Sequence, residues 1–207
     1  MRHASEFPIF DPEDWPRPLV WEDLFRFQGP IEIEVGCGKG RFLLSQATQH
    51  PDTCYVGLEY ARAYLLATAQ RAAKLGLMNV RVARCEADSF CREYVKDASI
   101  SAFHLLYPDP WPKKRHHKRR LIRHDFLAEL RRVLAPGAIL NIATDHSGYF
   151  EWMLEQFEAW KGTFLMEPRI LSSPEDRKGF EGRTNYESKY LHEGRVLYFL
   201  EGTRTAF

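Results

Sequence analysis

The sequence predicts an α/β fold, with an open, mostly parallel sheet of seven strands, helices on both faces and an antiparallel last strand. Strand-like and helix-like stretches alternate from residue 31 onward, and no repeat, low-complexity tract or internal linker interrupts them. The chain has 207 residues, of which 44% are apolar and 14% aromatic, which fits one globular domain and excludes a disordered chain. We therefore divide it into an N-terminal arm, residues 1–30, and a single domain, residues 31–207.

Seven segments have the short apolar or alternating pattern of strands. In chain order they are Ile31–Val35, Cys54–Leu58, Val80–Arg84, Ser101–Tyr107, Ala138–Ala143, Phe164–Met166 and Val196–Leu200. A polar loop, Ser172–Arg183, separates the last two segments. This break in the alternation predicts that the final strand runs antiparallel to its neighbours.

Four segments have the periodicity of helices. They are Arg41–Gln49, Ala61–Leu75, Phe126–Leu134 and Phe150–Phe157. Gly76 is expected to end the second of them, and Pro136-Gly137 to end the third, for which Asp125 is the predicted N-cap. In the arm, four aromatic residues are expected to hold it against the domain: Phe7, Phe10, Trp15 and Trp21.

Cysteine spacing and hydropathy exclude several classes of protein. The four cysteines are scattered and form no CxxC pair, so we expect no metal site, no disulfide framework and a reducing cytoplasmic location. No apolar run approaches the roughly 20 residues of a membrane helix. The N-terminus also lacks the apolar region of a signal peptide, and we expect no membrane partner.

The charge is distributed unevenly along the chain. The formal net charge is only +1, but Lys113 to Arg123 holds seven Lys or Arg and two His, and no acid lies between Pro110 and His124. The rest of the chain has 22 basic and 28 acidic residues, a net charge of −6. A concentrated cationic patch on a mildly acidic body indicates a polyanionic partner.

Carboxylates follow the predicted parallel strands, where an open α/β sheet binds its ligands. In strand order these residues are Glu34, Glu59, Glu86 with Asp88, Asp109 and Asp145. Because these strand ends meet at one edge of the sheet, the acids predict a polar cleft that attracts cations and hydrogen-bond donors.

The first strand runs into a glycine-rich turn, Gly36, Gly38 and Gly40, which has the pattern GxGxG and not the dinucleotide pattern GxGxxG. Glu34 just before it would repel a phosphate. S-adenosylmethionine fits better, because it carries an ammonium and a sulfonium and no phosphate. Glycine lets the backbone pass close to such a ligand, Glu59 can hold its ribose hydroxyls, and Glu86 can accept from the adenine amine. The alternative is a tight turn without a ligand.

The end of the fourth strand reads Tyr107-Pro108-Asp109-Pro110-Trp111-Pro112. Three prolines in five residues stiffen the backbone and fix the direction of Asp109. Trp111 offers a flat face for a base or for packing. The basic run Lys113–Arg120 follows directly and suits phosphates, the alternative being a solvated helix face.

These segments resemble the tRNA (guanine-N7)-methyltransferases. The most specific resemblance is Asp109-Pro110-Trp111-Pro112-Lys113 and the basic run up to Arg120. Four other segments resemble the motifs of this family, in the expected order: Glu34-Val35-Gly36-Cys37-Gly38, Gly57-Leu58-Glu59, Ala143-Thr144-Asp145 and Thr184-Asn185-Tyr186-Glu187. The resemblance covers about residues 30–201.

The resemblance implies a Rossmann-like class I methyltransferase fold. It implies transfer of a methyl group from S-adenosylmethionine, as co-substrate, to N7 of the guanine at variable-loop position 46 of tRNA, giving 7-methylguanosine and S-adenosylhomocysteine. It implies tRNA as the partner. We expect the protein to be a monomer or a homodimer, between which the sequence does not decide.

The resemblance also implies roles for individual residues. Asp109 is the catalytic residue. The donor-binding residues are Glu34, Gly36, Gly38, Glu59, Glu86 and Asp109, with Asp88 as an alternative to Glu86. The substrate-binding residues are Lys113, Asp145, Thr184, Asn185, Tyr186 and Glu187. The RNA-binding residues are Arg115, His116, His117, Lys118, Arg119 and Arg120.

The chemistry of guanine N7 limits what the protein must supply. N7 carries a free lone pair and no proton, so no general base is needed, and positioning supplies most of the acceleration. Asp109 can orient guanine through its N1–H and exocyclic amine and offset the charge that reaches the ring. We therefore assign His116 and His117 to the RNA surface and not to acid–base chemistry.

Three other functions remain open at this stage. Exocyclic-amine methyltransferases carry Asp/Asn-Pro-Pro-aromatic at this strand end, whereas Asp109-Pro110-Trp111 lacks the second proline. An RNA-binding subunit without a donor site would not need Glu34, the glycines and Glu59. A small-molecule methyltransferase would explain the cleft but not the basic run.

Overall fold

A computed structural model describes residues 8–206, and its seven strands form one sheet in the order β3-β2-β1-β4-β5-β7-β6. The strands are β1 (Ile31–Val35), β2 (Cys54–Leu58), β3 (Val80–Ala83), β4 (Ile100–Leu106), β5 (Leu134–Thr144), β6 (Phe164–Leu171) and β7 (Leu197–Arg204). Strands β1 to β5 pair in parallel, and β7 lies antiparallel between β5 and β6. The predicted fold class, including the antiparallel last strand, is confirmed.

Seven α-helices of the described residues accompany the strands; α1 precedes β1, and the others lie between strands in sequence. They are α1 (Trp21–Phe25), α2 (Arg41–Gln49), α3 (Arg62–Lys74), α4 (Ala87–Tyr94), α5 (His124–Val133), α6 (Ser147–Glu158) and α7 (Asn185–His192), and 3-10 helices cover Pro12–Asp14 and Lys114–Arg119. None of the helices within residues 8–206 combines the length and the apolar character needed to cross a bilayer.

Alternation along the strands builds a core on each face of the sheet. In β1, Ile31 and Ile33 belong to a large apolar cluster with residues of α1, α4, α5 and α6. Residues of α2 and α3 pack against the opposite face at β2 and β3, and residues of α2 and α7 pack there at β4, β5 and β7. Helices therefore cover both faces, as the alternation predicts.

The boundary between α5 and β5 differs from the sequence prediction. The N-cap of α5 is Arg123, so Asp125 as N-cap was wrong; its carboxylate instead accepts from Phe126 N, inside the first turn. The predicted stop at Pro136-Gly137 was also wrong, because both residues lie within β5. The helix ends earlier because Leu134 already pairs with Ile100 of β4.

Residues 8–10 of the arm lie along β3, the outer strand of the sheet. Phe10 N donates to Val82 O at 3.0 Å, and Val82 N donates to Pro8 O at 2.8 Å, which ties the arm to β3. Phe10 and Trp21 are buried and Trp15 is partly buried against the same core, whereas Phe7 lies outside the described residues. The division into arm and domain remains a prediction.

Candidate active site

The candidate site lies at the carboxyl edge of the sheet, where the strand order reverses between β1 and β4. Because β1 to β5 are parallel, the segments that follow them meet at this edge. The carboxylates predicted to form a cleft therefore share one edge.

The glycine-rich turn after β1 presents its backbone to open space. Gly36, Gly38 and Gly40 have φ angles of 69°, 55° and 74°, in the left-handed region that favours glycine. A Cβ atom added to Gly36 would meet nothing within 4 Å, and one added to Gly38 would meet only Gly36 O, at 3.9 Å. Gly40 has a different role, since its Cβ would lie 2.6 Å from Thr68 Cγ2. The first two glycines expose the turn, and the third packs it against α3.

Glu59 anchors this turn from the end of β2. Its Oε2 accepts from Gly38 N at 2.8 Å, and its Oε1 accepts from Ala61 N at 2.8 Å. Each carboxylate oxygen can accept a second hydrogen bond. Glu59 can therefore hold the turn and still accept from a pair of hydroxyl groups.

Glu34 is the most unusual acid of the site. Its side chain is buried, with 4% of the residue exposed, and its Oε2 has no hydrogen-bond partner among the described residues. Burial, with a smaller contribution from the negative charge of Glu59, raises the pKa of Glu34 to about 8, although a hydrogen bond from the backbone of Leu43 lowers it. An unpaired buried carboxyl group is costly, and a cationic ligand would relieve that cost.

The structure separates the two candidates for the adenine contact. Asp88 pairs with Arg92 at 2.9 Å and also with Arg123, so its carboxylate is already engaged. Glu86 is the N-cap residue of α4, makes no side-chain cap hydrogen bond and is exposed. Of the two acids, Glu86 is the one whose carboxylate is available to a ligand.

The proline segment after β4 has a strained backbone on both sides of Asp109. Tyr107 and Trp111 have φ angles of 57° and 43°, which non-glycine residues rarely adopt. Asp109 itself is exposed. Strained residues of this kind cluster at functional sites.

Arg120 clamps the proline segment from inside the protein. Its Nε donates to Pro110 O at 2.9 Å, and its guanidinium lies 5.0 Å from the ring centre of Tyr149 and 5.2 Å from that of Trp152. Only 3% of the residue is exposed, and burial lowers the pKa of Arg120. An enclosed guanidinium offers no surface to a phosphate, so we do not retain the expectation that Arg120 binds RNA.

The remainder of the basic run lies on the surface, as the 3-10 helix Lys114–Arg119 preceded by its N-cap residue Lys113. We call Lys113, Lys114, Arg115, Lys118 and Arg119 the hinge patch. All five are exposed, and none of them pairs with a carboxylate of residues 8–206. The guanidinium of Arg119 lies 4.7 Å from the ring centre of Trp111. His116 and His117 are half-buried beside the patch, with their rings against Trp111 and Trp152.

The C-terminal motif forms the N-terminus of α7. Thr184 Oγ1 accepts from Glu187 N at 3.0 Å, and the Glu187 carboxylate accepts from Thr184 N at 3.3 Å, which completes a capping box. Both residues are buried, whereas Asn185 and Tyr186 are exposed. The hydrogen bonds between Thr184 and Glu187 therefore fix the backbone that carries the exposed side chains of Asn185 and Tyr186.

Two tyrosines of α7 contact Tyr107, the residue that follows β4. The ring of Tyr107 lies 6.2 Å from that of Tyr186 and 5.6 Å from that of Tyr190. Arg195 covers Tyr190 at 4.5 Å and binds Asp145 Oδ2 at 2.9 Å. The structure thus brings Asp145, α7 and the Asp109 segment together, as a shared site requires.

Sequence reasoning missed Arg183 as a part of this site. Its guanidinium binds Glu187 Oε1 and Glu201 Oε1, both at 3.2 Å, and its backbone N–H donates to Glu187 Oε2 at 2.6 Å. Its position next to Thr184 was a weak signal. The pairing with Glu201, 18 residues further on, had no signal in the sequence.

Comparison with known proteins gives the family. The model of a family described as "Putative methyltransferase" matches residues 28–200. The tRNA (guanine-N(7)-)-methyltransferase of Geobacter metallireducens is 35% identical over 202 residues, which is 96% of this chain and 94% of that one. The enzyme of the same name from Streptococcus suis is 34% identical, over 97% and 92% of the two chains. The chain belongs to the tRNA (guanine-N7)-methyltransferase family.

Solved structures confirm the fold of this family member. The 16S rRNA methyltransferase KamB superposes with a TM-score of 0.64 at 19% identity, over 89% of this chain and 92% of that one. A 16S rRNA (adenine(1408)-N(1))-methyltransferase from Catenulisporales acidiphilia, solved with its cosubstrate SAM, superposes with a TM-score of 0.58 at 21% identity, over 95% and 92%. Within residues 8–206, no group of three or more His, Cys, Asp or Glu residues is arranged to hold a metal ion.

Proposed function

We propose that this family member transfers a methyl group from S-adenosylmethionine to N7 of the guanine at variable-loop position 46 of tRNA, in the cytoplasm. The products are 7-methylguanosine and S-adenosylhomocysteine. Family membership supports the reaction. The observation that carries the donor site is the buried, unpartnered carboxyl group of Glu34 beside an exposed glycine turn.

The residues at the carboxyl edge fit this donor. Glu34 can pair with a cationic amine, and Gly36 and Gly38 leave room for the ligand to lie against the backbone. Glu59 has acceptor capacity for ribose hydroxyls, and Glu86 has a free carboxylate for the adenine amine. The donor supplies an electrophilic methyl group on a sulfonium.

Asp109 acts on the acceptor base. Its exposed carboxylate can accept from the N1–H and exocyclic amine of guanine, which turns N7 toward the donor. The same negative charge stabilises the purine as it becomes cationic. Because N7 needs no deprotonation, the rigidity of the proline segment, held by Arg120, is the main contribution of this element.

The remaining residues hold the RNA. The hinge patch with His116 and His117 contacts phosphates close to Asp109. Asn185 and Tyr186 contact the substrate from the N-terminus of α7, where Thr184 and Glu187 position them. Asp145 takes part from the end of β5, next to Arg195.

Product analysis tests this function. The protein is incubated with labelled donor and unmodified tRNA, and the RNA is digested to nucleosides. We expect labelled 7-methylguanosine with wild-type tRNA and none with tRNA that carries adenine at position 46. A label on an exocyclic amine would establish the competing reaction. Binding of tRNA without binding of donor would reduce the protein to an RNA-binding subunit.

A further inference from the structure

A second basic surface lies on the other side of the donor site. From Tyr60 to Cys85 the sequence contains no Asp or Glu, although Glu59 and Glu86 flank this stretch. The stretch holds five arginines and lysines: Arg62, Arg71, Lys74, Arg81 and Arg84. Arg81 is buried against α1, and the other four are exposed.

Two exposed tyrosines are interleaved with these cations. Tyr60 is 64% exposed and Tyr64 is 44% exposed. The guanidinium of Arg84 lies 5.1 Å from the ring centre of Tyr60, and Lys39 Nζ lies 5.8 Å from that of Tyr64. Arg71 extends the surface, because its guanidinium donates to Lys39 O at 2.9 Å. We call the set Lys39, Tyr60, Arg62, Tyr64, Arg71, Lys74 and Arg84 the α3 surface.

The cations of the α3 surface are electrostatically unpaired. Three exposed arginines elsewhere on the described chain, Arg17, Arg92 and Arg195, bind carboxylates. The five cations of the α3 surface bind none among residues 8–206; their partners are backbone carbonyls and tyrosine rings. Such a surface attracts a polyanion, and its aromatic faces suit nucleotide bases.

The beginning of the α3 surface, at Tyr60 and Arg62, lies across the donor site from the hinge patch, whereas Lys74 lies at the other end of α3, toward the amino edge of the sheet. Tyr60 directly follows Glu59 at the end of β2, whereas the hinge patch follows β4, on the other side of β1. Neighbouring strands are about 4.8 Å apart, so these two strand ends are separated by about 10 Å. Arg62 and Lys74 are twelve residues apart on α3, which corresponds to about 18 Å along the helix axis. An RNA seated at Asp109 is large enough to reach this surface as well.

We propose that the α3 surface is a second RNA-binding surface, which contacts the phosphate backbone of the substrate away from the methylated base. This inference rests on the proposed function, because it assigns the surface to the same RNA. The hinge patch holds the RNA close to the reacting atoms, and the α3 surface holds a distant segment and contributes to affinity only.

The test is an Arg62→Gln/Lys74→Gln double variant. Neither side chain makes a hydrogen bond or ion pair with another described residue, so folding and donor binding should be unchanged. We expect the KM for tRNA to rise about five- to tenfold, while kcat at saturating tRNA stays at the wild-type value. The slope of log affinity against log salt should fall by about 0.7–0.9 for each phosphate that the protein no longer neutralises.

The control is the Lys96→Gln/Arg131→Gln double variant, which removes the same number of positive charges, two, from another part of the surface. Both residues are exposed and precede β4 and β5, at the same edge of the sheet as Lys74 but on the other side of β1 from α3. A KM and a salt slope equal to those of the control would overturn the proposal and leave an acidic protein as the alternative partner of the α3 surface. Failure of the wild-type protein to methylate tRNA would instead refute the proposed function, so the two failures are distinguishable.

Discussion

The carboxyl group of Glu34 combines two properties that a folded protein tolerates only at a cost. It is buried, and one of its oxygens lacks a partner among the described residues. The sequence places an acid before the glycine turn, which is enough to predict a site for a cation. The sequence could not show that this acid is enclosed, because burial depends on how α2 packs across β1.

Replacing Glu34 by glutamine should change how stability depends on pH. The pKa of Glu34 is about 8 in the folded protein, above its ordinary value of 4.5, so the folded state binds the proton more tightly. Between these two pKa values the folding free energy contributed by this group weakens as pH rises, by at most about 1.4 kcal/mol per pH unit. We expect Glu34→Gln, in the absence of donor, to lose this dependence, so that its stability relative to wild type is greater at pH 8 than at pH 6.

Urea unfolding of both proteins at the two pH values measures the difference. An equal stability gap at pH 6 and pH 8 would show that Glu34 ionises normally. Donor binding gives an independent measurement. Glu34→Gln should bind the donor more weakly than wild type, because the glutamine cannot carry the negative charge that pairs with a cation.

Replacing Asp109 by asparagine should separate binding from chemistry. The change keeps the shape and removes the charge that orients guanine and offsets the cationic purine. We expect kcat to fall by about two to three orders of magnitude, the range seen when a single electrostatic group of this kind is removed. Equilibrium binding of the donor and single-turnover methylation of tRNA measure the two steps. Asp52→Asn, an exposed acid before β2, is the matched control, and equal rates for the two variants would remove Asp109 from the chemistry.

At the scale of the elements, the strands were more predictable than the helices. All seven strands were found because alternation and apolar runs are local patterns. Helix α7 was not predicted, although Thr184 and Glu187 have the spacing of a capping box. The resemblance implied that these residues bind the substrate, and their role at a helix N-terminus was therefore not considered. The structure shows that capping is how the motif is built. The enclosure of Arg120 could not be read from a run of basic residues, since it depends on Tyr149 and Trp152 of a later helix.

Arg119 and Arg120 are neighbours in sequence, but we expect their substitution to affect different properties, tRNA binding for Arg119 and stability for Arg120. Arg120→Gln removes the bond to Pro110 O and the packing against Tyr149, so we expect a decrease of about 1.5–3 kcal/mol in unfolding free energy and a lower kcat. The salt slope of tRNA binding should not change, because the guanidinium reaches no phosphate. Arg119→Gln should do the reverse, with stability within about 0.5 kcal/mol of wild type and a reduced salt slope.

Chemical denaturation and tRNA binding at several salt concentrations measure both effects on both variants. A reduced salt slope for Arg120→Gln at unchanged stability would mean that the side chain leaves its enclosure and contacts RNA. Agreement with the expectation would assign the basic run two separate functions, one residue that holds the proline segment and a surface that holds RNA.

At the scale of the whole molecule, a net charge of +1 conceals a segregated distribution. The hinge patch and the beginning of the α3 surface lie on two sides of the donor site, whereas Arg17 and Lys161, two exposed cations elsewhere, are neutralised by nearby carboxylates. The acidic remainder of the body repels RNA. Electrostatic attraction at the two basic surfaces and repulsion by the acidic remainder orient the RNA as it approaches, before a base enters the active site.

Combining variants from the two surfaces tests this arrangement. Lys114→Gln/Arg115→Gln removes two unpaired charges of the hinge patch, and should lower the salt slope by about 0.7–0.9 for each phosphate left without its cation. Because the two surfaces share no partner residues, the quadruple variant that adds Arg62→Gln/Lys74→Gln should lower the slope by the sum of the two effects. Filter binding of tRNA across a salt series measures each slope, with Lys96→Gln/Arg131→Gln as the charge-matched control. A quadruple variant no weaker than the hinge-patch variant would mean that the RNA uses one surface only, whereas additive slopes require that one tRNA contacts both.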